Sequence, residues 1–168
     1  MYKKTIIVTL VLILSILNYS IYQKEHQLKS GITVILPLAP IDPRSMMQGD
    51  YMRLNYALSR DVRRELSIKK DMPKSGFVLV HLDDKHIASF MKLYEGEELK
   101  QDELKLPFKV QKHNQVSFGG NTFFFQEGTE KKYQKAKYGL FKLSGESMIL
   151  QSLLDKNLKD IATSTPQR

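Results

Sequence analysis

The feature that most constrains this chain is its first 22 residues. Lys3 and Lys4 precede an apolar run over 6–17 that is broken only by Thr9 and Ser15, and the run closes through Ile21 and Tyr22. Residues 6–22 as a helix reach about 25 Å at 1.5 Å per residue, slightly short of a ~30 Å hydrocarbon core. Tyr2, Tyr19 and Tyr22 are placed for the two interfaces, with the lysines among headgroups. A cleaved leader has a similar apolar stretch but needs small residues one and three places before the cut. The best such site here is a cut after Ser20 with Asn18 as the second recognition residue, a poor match. The reading is therefore an uncleaved anchor over 1–22. Lysines ahead of the run keep the N-terminus cytoplasmic. The body then lies outside the cell membrane, joined by a polar connector over 23–31.

Length and charge bound that body. At 168 residues the chain holds one ordinary domain, expected over 32–160 with a frayed tail over 161–168. It has no Cys, which excludes disulfides, thiolate zinc sites and Cys nucleophiles. The formal charge is +8, or +6 once Lys3 and Lys4 are set aside. A basic domain usually points to nucleic acid, but a translocated one rarely meets it, so no nucleic-acid partner is expected; the scattered charge is read first as keeping the domain soluble, with anionic headgroups as the alternative counter-surface.

The remaining pattern is that of short strands. Residues 32–38 form a compact Val- and Ile-rich run ended by Pro37 and Pro40. Over 51–58 Met52, Leu54, Tyr56 and Leu58 share an apolar face, and Tyr51, Arg53, Asn55 and Ala57 a mixed one, which predicts a half-buried strand. The spacing then becomes four (Leu58, Val62, Leu66), predicting a helix over 60–69 with Ser59 as its cap. Strands follow at 77–82 and 87–93 around a tight Asp83-Asp84 turn. The alternating run 104–111 carries Pro107, which lacks an amide hydrogen, so it is assigned to an edge. A pair at 115–118 and 121–126 around Gly119-Gly120, a helix over 129–137 capped by Thr129, and a last hairpin at 138–143 and 147–154 complete the chain. This predicts a mainly β (α+β) fold: a curled antiparallel sheet or partly open barrel, with one or two short helices, behind a single N-terminal transmembrane helix.

The most distinctive stretch is 38–58. Asp42, Arg44 and Asp50 put two carboxylates and a guanidinium in one loop, suited to a salt-bridge latch or a polar site. Gly49-Asp50 makes a sharp turn into the strand. Gly49-Asp50-Tyr51-Met52-Arg53-Leu54-Asn55-Tyr56 resembles the G-D-Y-x-x-L-x-Y signature of a family of bacterial membrane-anchored proteins of unsettled function. Asp42-Pro43-Arg44-Ser45, Phe124-Phe125-Gln126-Glu127-Gly128 and Ala136-Lys137-Tyr138-Gly139 resemble the same family, in the same order. The resemblance covers 32–158. It implies an anchored, extracytoplasmic domain acting beside a multi-span membrane protein, and it supplies no activity.

Two chemistries compete with a binding role. Ser45-Met46 followed by Gly49-Asp50 faintly resembles the nucleophile region of membrane-anchored signal peptidases, which would make the protein an envelope hydrolase. Such a serine needs a buried lysine of depressed pKa, and Lys92 and Lys105 lie on amphipathic strands that face them outward. His81 and His86 would face each other across a two-residue Asp83-Asp84 turn as weak metal candidates, with no third ligand near; His26 and His113 are remote in sequence. No cofactor is expected. The consecutive Phe123, Phe124 and Phe125 point to both sides of their strand and are expected to be core, in a strand buried on both faces; the alternative is one partner-facing ring, Phe124, with Phe123 and Phe125 inward. The contact face is assigned to the signature loop with Tyr51 and Arg53.

Overall fold

The computed structural model describes residues 2–39, 47–48, 51–68 and 73–163. Helix α1 (Tyr2–Ser30) comes first, and none of its apolar window is buried in the protein. It is long and apolar enough to cross a membrane. Its last turns continue through the polar residues expected to form a connector and stop at Gly31. There the Gly31 amide donates to the Gln27 carbonyl (2.9 Å), and a side chain on Gly31 would strike that carbonyl at 2.5 Å.

The body is mainly antiparallel β, curled into a half-barrel. One sheet has the order β1 (Ile32–Pro37), β9 (Tyr138–Ser144), β10 (Ser147–Leu154). A second small sheet has β2 (Met47–Gln48), β3 (Tyr51–Arg53) and β8 (Thr122–Phe124). The third has the order β5 (Ala88–Leu93), β4 (Ser75–Leu82), β6 (Glu103–Gln111), β7 (Gln115–Ser117). Isolated bridges stitch the sheets together. Ile35 pairs with Ile87 in the parallel sense and Leu38 pairs with Tyr56.

Helix α2 (Ala57–Ile68) packs on this frame through Leu58, Val62 and Leu66, all essentially inaccessible. The spacing of four that predicts it is therefore its buried stripe. It begins earlier than the sequence indicates, so Ser59 lies inside its first turn rather than at its cap. The Ser59 hydroxyl is buried without a hydrogen-bond partner among the described residues. Helix α3 (Glu130–Tyr133) is a single turn, shorter than the segment predicted, and the Thr129 side chain does not cap it.

Three pairings differ from the sequence reading. The Asp83 carboxylate accepts from the amides of Lys85 (2.9 Å) and Ile87 (2.8 Å), widening the β4–β5 turn, and His86 takes φ +62°. His81 therefore pairs with Ser89, not with His86. The strands flanking Gly119-Gly120 pair not with each other but with β6 and β3 respectively. Gly119 at φ +62° turns the chain between the two sheets, against the Met148 carbonyl. Strand β6 lies second from the end of its sheet, but β7 reaches only 109–111, so Pro107 faces β4 on one side and, among the described residues, no strand on the other. The last hairpin forms as predicted around Gly145 at φ +57°. Ile161, assigned to the tail, is buried and its amide donates to the Leu153 carbonyl.

Candidate functional site

The signature segment is amphipathic in space as in sequence. Met52, Leu54, Tyr56 and Leu58 are all 2% exposed or less, while Arg53 is exposed and Tyr51 half-buried. Among its described residues only Tyr51–Arg53 is strand; the chain leaves the ladder at Leu54 and enters α2 at Ala57. The inward set survives this change because backbone bonds replace the ladder. The Leu54 amide donates to the Asn121 carbonyl (2.7 Å), and the Asn55 carbonyl accepts from Ala39 (2.8 Å).

Tyr56 is the hub of the inner face. Its hydroxyl donates to the Gly120 carbonyl (2.7 Å), and its ring meets Phe118 and Phe141 edge-on at 6.5 and 5.4 Å. Burial raises its phenol above the ordinary range, so the hydroxyl stays a proton donor at any working pH. Gly139 makes room for it: a methyl group there would lie 3.3 Å from the Tyr56 ring and 3.1 Å from Phe141. The signature tyrosine and the later Tyr138-Gly139 motif are thus two halves of one packing contact. Half-buried Tyr138 pairs across the ladder with Pro37 and Leu154.

The 124–128 motif performs a turn. The Gln126 carbonyl accepts from the Thr129 amide (3.1 Å) and hydroxyl, and Gly128 sits at φ +80°. The Gly128 amide donates to the Glu130 carboxylate (2.9 Å), which lowers that carboxyl's pKa. Gln126 and Glu127 are exposed. Tyr133 then lies over Phe123 and Phe125, with ring centroids 5.1 and 5.5 Å away.

The outer face is different in kind. Tyr51 pairs with Phe124 and Arg53 with Thr122 across β3 and β8. Residues directly opposite on an antiparallel ladder share a face, so these four stand together. The Tyr51 and Phe124 rings are 6.0 Å apart, and Phe124 is 74% exposed although Phe125 is buried. The structure therefore brings Tyr51, Arg53 and Phe124 into one outward patch. Asp42, Arg44, Ser45, Gly49 and Asp50 lie outside the described residues.

The other candidates are dispersed. Among the described residues no group of three or more His, Cys, Asp or Glu is placed to hold a metal. None of the described lysines is buried. The Lys92 ammonium pairs with Glu97 at 2.8 Å, which raises the lysine pKa and lowers the Glu97 carboxyl to about 2, the opposite of what a lysine base requires. Lys105 lies 5.0 Å over the Phe77 ring and 5.7 Å from that of Tyr94.

One contact has no signal in the sequence. The Gln27 amide, in the polar end of α1, donates to the Ser147 carbonyl (2.7 Å) and, at 3.3 Å, to that of Lys142. The Ser147 hydroxyl donates back (3.2 Å), and Gln27 is 7% exposed. The helix is thereby pinned to the β9–β10 hairpin. A glutamine among polar residues reads as solvated, and only its partner more than a hundred residues later shows otherwise.

A family model described as GDYXXLXY protein matches residues 13–153, which takes in the second half of α1 and nearly all of the body. The chain belongs to the GDYXXLXY family. No curated protein and no solved structure matches it. Within the GDYXXLXY signature, Leu54 and Tyr56 are core, and Tyr51 with the variable Arg53 looks outward.

Proposed function

We propose that this protein is a non-enzymatic binding module, held by α1 in the cell membrane with its body on the extracytoplasmic side, that docks onto an adjacent multi-span membrane protein. The observation that carries the reading is the outward patch of Tyr51, Arg53 and Phe124. An aromatic ring 74% exposed beside a second aromatic and a guanidinium is the composition of a binding anchor rather than of a solvated surface. The same strand spends its other side on the core, so the patch is held rigidly. The unbroken passage of α1 from its apolar run to a pinned last turn supports retention of the helix, because Ser20 lies mid-helix.

The test is capture of the partner from solubilised membranes with a tag on the body. Tyr51→Ala, Arg53→Ala and Phe124→Ala should each weaken co-purification by tenfold or more, a loss of about 1.4 kcal/mol, with an unchanged melting temperature. A melting temperature that falls in step with capture would make the patch structural and overturn the reading.

A further inference from the structure

We propose that the groove between the end of α1 and the β9–β10 hairpin binds the headgroup of a monoanionic phospholipid. The groove has about 450 Å³ and is lined by Tyr22, Lys24, His26 and Gln27 from the helix and by Ser144 and Ser147 from the hairpin. Lys24 and Ser147 also line an adjoining cleft of about 550 Å³ that contains Lys109, Phe108, Pro107 and Met148. The two spaces therefore meet at Lys24.

Height along the helix selects the occupant. This step rests on the proposal that α1 remains in the bilayer. If the apolar run ends at Tyr22, Lys24 stands about 3 Å further along the axis, among the phosphates. Lys24 and Gln27 are three residues apart and share a helix face. Because Gln27 is pinned to Ser147, Lys24 is held against the hairpin side one turn nearer the membrane. At phosphate depth Lys24 and Ser144, which line the same groove, present a cation and a hydroxyl donor to one phosphodiester. Glu146 lines the adjoining cleft and disfavours headgroups of higher negative charge, which points to a single-charge diester such as phosphatidylglycerol.

The full chain is reconstituted into vesicles of equal parts phosphatidylcholine and phosphatidylglycerol, floated on a density gradient, then released for native mass spectrometry. Wild type should float and retain phosphatidylglycerol over phosphatidylcholine. Lys24→Gln should float equally and lose that preference severalfold, Lys24→Arg should keep it, and Lys3→Gln with Lys4→Gln should leave it intact. Flotation with no preference, or a preference that survives Lys24→Gln or vanishes with Lys3 and Lys4, overturns the headgroup site alone. Failure to float overturns the membrane reading and the site together.

Discussion

Tyr56 shows how one side chain serves two distant stretches. Its hydroxyl closes the 119–121 turn and its ring fills the space Gly139 leaves. Tyr56→Phe keeps the ring but strands the Gly120 carbonyl, and should cost about 1 kcal/mol in urea unfolding. Gly139→Ala pushes on Phe141, Leu150 and Tyr56 together and should cost about 1–3 kcal/mol by overpacking. Ser59 gives the opposite sign. Its buried hydroxyl has no partner among the described residues, so Ser59→Ala should raise stability by about 1 kcal/mol, read as a higher melting temperature. The sequence made the burial of Met52, Leu54, Tyr56 and Leu58 legible, because a period of two survives whatever partners the strand finds. It did not reveal that Ser59 is interior, because a serine before a helical run reads as a cap wherever the helix begins.

At the level of elements, what the sequence disclosed was local and what it concealed was pairing. The stripe of α2 and the β9–β10 hairpin follow from spacing and turn residues within a few positions. The outward Phe124 does not, because three consecutive phenylalanines read as a strand buried on both faces. The partners of β7 and β8 do not, because Gly119-Gly120 is equally compatible with a hairpin and with a change of sheet. The His81–His86 proximity failed for a related reason: the Asp83 carboxylate organises a wider turn than two residues. The Lys92–Glu97 pair between β5 and the loop after it yields a pH prediction. The Glu97 carboxyl is lowered to about 2 by the Lys92 hydrogen bond, so its contribution is complete above the unfolded carboxylate range and is lost as pH falls toward about 2. Glu97→Gln should lower the melting temperature slightly at pH 6, and the two proteins should converge as pH approaches 2. Added salt should shrink the difference, since the Lys92 side chain is largely exposed.

For the whole molecule, the decisive contact is between its most distant parts, the polar end of α1 and the final hairpin. Inserting two glycines between Ser30 and Gly31 removes the register that lets Gly31 bond Gln27 and Gln27 reach Ser147. The body's melting temperature should hold, proteolysis over 23–31 should quicken, and partner capture should fall although the Tyr51 patch is untouched. The same coupling explains why the site was only half legible: Tyr51 and Arg53 declare themselves by alternation, whereas the seating of α1 on the body depends on a glutamine that nothing nearby distinguishes. On the proposal that α1 remains in the bilayer, that joint would make the protein a gauge of fixed length. A thicker lipid layer would then draw the aromatic patch down and a thinner one would lift it, so the altitude at which a neighbour could be met would be written into the number of residues between Lys4 and Gly31.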